Sequence, residues 1–231
     1  MYSAHDPYNF HTMGKDSIKQ ANPDHPIHEL IAKRWSPYAF DSAPVAPEQL
    51  KSCLEAARWA ASSFNEQPWS FIIATRDDET EFDRLINCLM EANQEWARNT
   101  GVLILTVIQK RFTRNDNPNR VAEHDLGLAI ANLTTQAVAL GVAVHQMAGV
   151  NLSKARQTYA IPDTHEPMTV VALGYAADPS QFEDESLARR DLAPRSRKPL
   201  SDFVFTGGWG QTAQVVSGPV GLPASPGTNT V

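Results

Sequence analysis

Residues 47–75 constrain the fold more than any other stretch of the chain. Pro47 suits the first position of a helix, and the apolar residues after it recur at helical spacing. These apolar positions are Leu50, Cys53, Leu54 and Ala57. Residues 69–75 form a short aromatic and β-branched run, which is typical of a buried strand. The stretch therefore predicts a helix, a connecting loop and a strand.

The loop between these two elements is rich in hydrogen-bonding side chains. It carries Ser62, Ser63, Asn65 and Gln67, and Pro68 closes it. Short polar side chains on a loop held by a rigid helix and strand are typical of a ligand site. Serine and asparagine also favour turns for purely local reasons, so a capped turn without a ligand fits these residues as well.

The rest of the chain alternates between helical and strand patterns. Residues 101–108 are apolar on both faces and predict a central strand. Residues 121–140 predict a long helix, and residues 142–147 and 168–175 predict two further strands. This alternation is typical of an α/β or α+β domain.

The domain is expected to occupy residues 25–210. Residues 1–24 lack periodicity and predict a flexible N-terminal arm. Residues 211–231 are a mixture of glycine, proline, serine, valine and threonine, which predicts a low-complexity tail.

Two short segments carry weaker patterns. Pro26 is expected to start a short helix with Ile27, Leu30 and Ile31 on its apolar face. Asn93 and Trp96 are expected on a polar turn that follows a helix capped by Asp77 or Asp78.

Charge and composition exclude several classes of protein. The net charge of −6 argues against a nucleic-acid binder, which needs a basic face. No apolar run is long enough for a membrane span, and residues 1–20 lack the apolar core of a signal peptide. Cys53 and Cys88 fall on apolar helical faces and are expected to be buried thiols. We expect a cytoplasmic protein without nucleic-acid or membrane partners.

Several common catalytic motifs are missing. The sequence has no GxGxxG or Walker pattern, no GxSxG elbow and no HExxH. The N-terminal histidines are irregularly spaced, so we expect surface histidines and no metal site. They are His5, His11, His25 and His28.

Two basic clusters suggest an anion site. Arg34 and Ser36 lie two residues apart at a predicted helix end and suit an anion clamp, although a solvated arginine beside a turn serine fits them as well. Arg195 and Arg197 form the second cluster. A planar, phosphorylated ligand rich in hydrogen-bonding groups would use these cations together with the loop amides and hydroxyls and Asn93. Flavin mononucleotide (FMN) has all these features.

The order of these motifs resembles one known family. Arg34-x-Ser36 is followed by the specific block Ser62-Ser63-x-Asn65-x-Gln67-Pro68-Trp69. Further matches are Asp125-x-Gly127, Ala137-x-x-x-Gly141, His145-x-x-x-Gly149, Ala172-x-Gly174-Tyr175 and Arg195-x-Arg197-Lys198-Pro199-Leu200. Over most of the predicted domain, the chain resembles the flavin-dependent nitroreductase family.

The resemblance implies an α+β fold, with a central, mostly antiparallel sheet flanked by helices. It also implies a homodimer with two FMN sites at the interface. The residues implied around the FMN phosphate are Arg34, Ser36, Arg195 and Arg197. Those implied to reach FMN across the dimer are Ser62, Ser63, Asn65 and Gln67. Asn93 would meet the pyrimidine edge of the flavin, and the backbone N–H of Gly149 would lie near N5.

The chain departs from the family pattern near the flavin ring. The family often has arginine or lysine where Tyr38 stands and proline where Ala61 stands, and some members have lysine where Trp96 stands. A cation near N1 and O2 stabilises the reduced, anionic ring. We therefore expect either a flavin that is harder to reduce or a substitute cation such as Arg98.

The implied function is an FMN-dependent NAD(P)H oxidoreductase. It would reduce nitroaromatics, quinones or related small-molecule acceptors by ping-pong hydride transfer, with NADH or NADPH as donor. Two alternatives share the family's fold: a relative that cleaves flavin or dehalogenates a substrate, and a flavin-binding protein with little turnover. No side chain stands out as a general acid or base, and His145 fits a hydrogen-bonded core histidine or a catalytic one.

Overall fold

A computed structural model describes residues 18–181 and 185–217 of the 231-residue chain. The strands are β1 (Trp69–Thr75), β2 (Val102–Gln109), β3 (Ala143–Met147) and β4 (His165–Gly174). They form one antiparallel sheet in the order β1-β2-β4-β3. The helices are α1 (Glu29–Lys33), α2 (Pro47–Arg58), α3 (Glu79–Ile86), α4 (Glu91–Ala97), α5 (Ala122–Ala139), α6 (Leu152–Thr158) and α7 (Glu185–Leu192). The predicted α+β class, with an antiparallel sheet flanked by helices, is confirmed.

The sheet separates two apolar cores. Successive side chains of a strand point to opposite faces, so Leu103 and Leu105 of β2 enter one core while Val102 and Ile104 enter the other. The first core is closed by α3, α4, α6 and α7, and the second by α2 and α5. Because both faces of β2 are buried, its sequence is an almost continuous apolar run.

Two local expectations are wrong. Helix α1 begins at Glu29, because His28 is its N-cap and accepts the Leu30 N–H at 3.2 Å. Ile27 and Ile31 are exposed and Leu30 is half-buried, so most of the predicted apolar face does not pack on the core of this chain.

The segment around Asn93 is also more regular than expected. It forms helix α4 rather than a polar turn, and only Trp96 and Ala97 at its C-terminal end are buried. Asp78 rather than Asp77 caps the preceding helix, where its side chain accepts the Glu81 N–H at 3.0 Å.

The outer segments of the described chain touch the domain. Most of the predicted N-terminal arm lies outside the described residues, but Lys19 is buried. Within the predicted tail, Thr212 bridges to Phe205 and Ala213 is buried. In the described part of the chain, no helix has the length and apolar character needed to cross a membrane.

Candidate functional site

The predicted arginines meet at the C-terminal end of α1. Arg34 follows this helix directly and donates from Nη1 to Ser36 Oγ at 3.1 Å. Arg195 is distant from Arg34 in sequence, and it donates from Nη1 to the carbonyl oxygen of Ala32 at 2.6 Å. Arg197 is exposed and donates to the carbonyl oxygen of Ser196 at 2.7 Å.

These three guanidinium groups form a cluster of positive charge. Burial lowers the pKa of Arg34, and the charge of Arg197 lowers it further. Burial also lowers the pKa of Arg195, as do the charges of Arg34 and Arg197. Among the described residues, no carboxylate forms an ion pair with any of the three. Such a cluster is suited to an anion that accepts several charge-assisted hydrogen bonds, and a phosphate does so well.

A group of aromatic rings lies beside this cluster. The Tyr38 ring centroid is 4.7 Å from that of His145 and 5.4 Å from that of Trp96. His145 lies on β3, and its Nδ1 is 2.7 Å from the carbonyl oxygen of Pro37, which makes this nitrogen the donor. Burial lowers the pKa of His145, which favours the neutral form of its ring. These contacts are those of a hydrogen-bonded core histidine.

Helix α7 holds Tyr38 from two sides. Asp191 Oδ2 accepts the backbone N–H groups of Tyr38 and Ala39, each at 2.9 Å. Burial raises the pKa of this carboxyl group, which is 2% exposed. Arg190 Nη1 donates to Tyr38 Oη at 3.3 Å. The sequence analysis did not identify either residue, because both contacts join segments that are distant in sequence.

Asn93 and Gly149 are in direct contact. Asn93 Nδ2 donates to the carbonyl oxygen of Gly149 at 3.1 Å, and Asn93 Oδ1 accepts from Trp96 Nε1 at 3.3 Å. A Cβ atom at Gly149 would clash with Asn93 Nδ2, so any larger residue at this position would have to displace the Asn93 side chain. The N–H of Gly149 donates to no other residue in the described ranges, and it is therefore free for a ligand.

The polar loop after α2 is held by a contact with α5 and by a hydrogen bond within the loop itself. Ser63 donates its backbone N–H to Oδ2 of Asp125 at 3.0 Å, and Gln67 donates its own to Ser62 Oγ at 3.0 Å. Phe64, Asn65 and Gln67 have φ angles of 55°, 56° and 50°.

Positive φ is costly for side chains such as those of phenylalanine and glutamine. Strained backbone of this kind clusters at ligand sites, where the surrounding structure maintains it. A shallow cavity of about 270 Å³ adjoins the loop. Its lining residues are Ala61, Ser62, Ser63, Val121, His124, Asp125 and Leu128.

The predicted site residues thus fall into two sets within one chain. The cationic set comprises Arg34, Ser36, Tyr38, Asn93, Gly149, Arg195 and Arg197, and the aromatic rings connect its two ends. The loop set comprises Ser62, Ser63, Asn65 and Gln67. In the part of the chain that the structure describes, no hydrogen bond or ring contact joins the loop set to the cationic set.

Fold and site together define an α+β protein with a cationic site beside a group of aromatic rings. The family model described as the Nitroreductase family matches residues 31–175. The chain therefore belongs to the nitroreductase family, and the resemblance noted in its sequence is confirmed.

Individual relatives agree with this assignment. A solved FMN-containing oxidoreductase is 34% identical, covers 85% of this chain and 98% of its own, and superposes with a TM-score of 0.77. The major NAD(P)H-flavin oxidoreductase of Aliivibrio fischeri is 27% identical, over 78% of this chain and 98% of its own length. A nitroreductase family protein from Clostridium difficile 630 shares the fold, with 24% identity, a TM-score of 0.62, and coverage of 80% of this chain and 99% of its own.

Proposed function

We propose that this protein is an FMN-dependent NAD(P)H oxidoreductase that reduces a nitroaromatic, quinone or related small-molecule acceptor. The bound cofactor supplies the two-electron chemistry, in which NAD(P)H is oxidised first and the acceptor is reduced after NAD(P)⁺ has left. The names of the similar FMN-containing oxidoreductase and NAD(P)H-flavin oxidoreductase support the cofactor and the donor.

The observation that carries the proposal is the arginine cluster, which has no carboxylate partner among the described residues. Arg34, Arg195 and Arg197 repel one another, and a phosphate dianion would relieve this repulsion. Ser36 adds a hydroxyl to the same site. At the other end of the cationic set, the free N–H of Gly149 and the side chain of Asn93 suit the polar edge of a flavin.

We further propose that the working unit is a homodimer, with the loop set of one chain completing the cationic set of its partner. Large exposed apolar side chains support an interface, because a water-facing surface gains nothing from them. Those near the two sets are Ile27, Ile31, Trp59, Phe64 and Leu128. Contact with a ligand bound to the partner chain would explain why this loop is both strained and exposed.

The first test removes one phosphate ligand. Arg197→Ala should weaken FMN binding by roughly ten- to a hundred-fold, because a charge-assisted hydrogen bond is worth about 1.5–3 kcal/mol. Flavin fluorescence titration measures this change. Arg197 suits the test, since its one hydrogen bond within the described residues is to the neighbouring Ser196. Arg195 does not, because it also holds the carbonyl groups of Lys19 and Ala32.

Lys51→Ala is the control, since it removes the same charge from an exposed ion pair with Glu48 on α2. Its FMN affinity should equal that of the wild type. Unchanged FMN affinity in both Arg34→Ala and Arg197→Ala would remove these residues from the cofactor site.

A further inference from the structure

A buried lysine lies outside the part of the chain that the family model matches. We name residues 18–21 the N-terminal strap; residues 31–175 are the matched part. Lys19 is 9% exposed, and its Nζ donates to the carbonyl oxygens of Arg190 at 2.7 Å and Ala193 at 2.8 Å. These carbonyls lie at the C-terminal end of α7, where a lysine is favourable because helical carbonyls there lack partners.

The strap also holds Arg195 in place. Arg195 Nη1 donates to the backbone carbonyl of Lys19 at 3.1 Å and to that of Ala32 at 2.6 Å. Ala21 donates its own N–H to the same Ala32 carbonyl at 3.0 Å. Residue 19 and the segment 193–195 therefore bind each other reciprocally, and the end of α1 joins the same hydrogen-bonded group.

The charged groups around Lys19 differ from those around the arginines, which indicates a different role. Burial lowers the pKa of Lys19, while the nearby carboxylate of Asp191 opposes this shift. The Nζ atom also lies 5.1 Å from the ring centroid of Trp35. Lys19 is thus balanced by an acid and occupied by carbonyls, whereas Arg34 and Arg195 have no carboxylate partner among the described residues.

We propose that Lys19 is a positioning residue for the anion site, which it serves by holding Arg195 beside Arg34 and Arg197. Its Nζ ties the strap to α7, and the strap carbonyl orients the Arg195 guanidinium without touching the ligand. The identification of the anion as the FMN phosphate rests on the proposed function.

The test compares FMN with riboflavin, which lacks the phosphate, in the full-length chain. Lys19→Met keeps the apolar stem and removes the donors, so FMN binding should weaken by about ten-fold while riboflavin binding stays within about two-fold. Lys19→Arg, which restores donors for the two carbonyls, should recover most of the FMN affinity. Lys33→Met is the control, because it removes an equal charge from the exposed pair with Glu29 on α1.

Equal weakening of FMN and riboflavin in Lys19→Met would overturn the proposal, since general loosening of the fold affects both ligands. An unchanged FMN affinity would overturn it as well. If Lys19→Met does not fold, Lys19→Gln, which keeps a donor for one carbonyl, gives the same comparison.

A second probe separates this inference from the proposed function. Inorganic phosphate should raise the melting temperature of the wild type more than that of Lys19→Met, and equal rises would count against a positioning role. If the wild type binds phosphate but not FMN, the proposed function is wrong, and the phosphate comparison alone decides the role of Lys19.

Discussion

At the scale of single residues, Tyr38 is neutral where the family often has a cation, and the fold brings a cation from another segment beside it. The sequence suggested Arg98 as a substitute cation, but Arg98 Nη1 pairs with Asp83 at 3.0 Å on the surface. Arg190 instead donates to the Tyr38 hydroxyl, and its guanidinium carbon lies 5.7 Å from the ring centroid. The phenol keeps its own proton for a ligand, and the adjacent positive charge strengthens it as a donor.

Removing this cation should make the bound flavin harder to reduce. Arg190→Ala should lower the midpoint potential by roughly 20 mV, since an exposed charge contributes about 1 kcal/mol and 30 mV equals about 1.4 kcal/mol for two electrons. Arg189→Ala is a matched control on the same helix, because among the described residues the hydrogen bond and the cation–ring contact to Tyr38 come from Arg190 and not from Arg189. Potentiometric titration of both variants beside the wild type makes the measurement.

Tyr38→Arg is the converse test, since it adds a positive charge where Arg190→Ala removes one. A guanidinium at position 38 should raise the midpoint potential and speed reduction by NAD(P)H, with little change in FMN affinity. If this potential stays constant and Arg190→Ala also has no effect, Tyr38 does not lie beside the pyrimidine edge.

At the scale of secondary-structure elements, local patterns were predictive where periodicity is strong. Helix α2, strand β1 and strand β2 lie close to their predicted bounds, because apolar spacing alone identifies them. Helix α4 was missed because it buries only its C-terminal end, which leaves too few apolar positions for a helical period. The start of α1 depends on a histidine cap, for which the sequence has no strong signal.

The same distinction applies to the residues of the candidate site: local patterns identified some of them, and long-range contacts define the others. The arginines and the polar loop were identified from residue type and short spacing. Lys19, Arg190 and Asp191 were not, because their partners are distant in sequence; Tyr38 and Asp191, for example, are 153 positions apart. No local pattern encodes such a contact, and the tertiary fold alone creates it.

One element-scale prediction concerns the attachment of the polar loop to α5. Asp125 is 3% exposed and accepts the Ser63 N–H, so Asp125→Ala leaves this partly buried donor unpaired. The free energy of unfolding should fall by about 1–3 kcal/mol, and FMN affinity should fall with it. Denaturant unfolding and flavin titration measure the two effects.

Glu123→Ala is the control for this prediction. Glu123 is an exposed acid in the same first turn of α5, so both variants lose a favourable charge at the helix N-terminus. Only Asp125→Ala loses the bond to the loop. Equal effects of the two substitutions would mean that helix charge, and not loop attachment, is responsible.

At the scale of the whole molecule, the separation of the two residue sets predicts that FMN stabilises a dimer. A ligand that binds only the folded dimer contributes about 2.7 kcal/mol at a hundredfold excess over its Kd. Thermal melts with and without FMN, beside light scattering, should show a dimer whose melting temperature rises with FMN. Riboflavin should have a smaller effect, because it cannot use the arginine cluster. A monomer that retains flavin on dilution would contradict this arrangement.

The most direct test of the proposed function is the visible absorption spectrum of the purified protein under anaerobic conditions. We predict flavin bands that NADH or NADPH bleaches and that a nitroaromatic or quinone then restores. Bound flavin that neither donor bleaches would indicate a flavin-binding protein with little turnover, and flavin destroyed when oxygen is admitted would indicate a flavin-cleaving relative. A protein that shows no flavin bands after reconstitution with excess FMN would contradict the central claim.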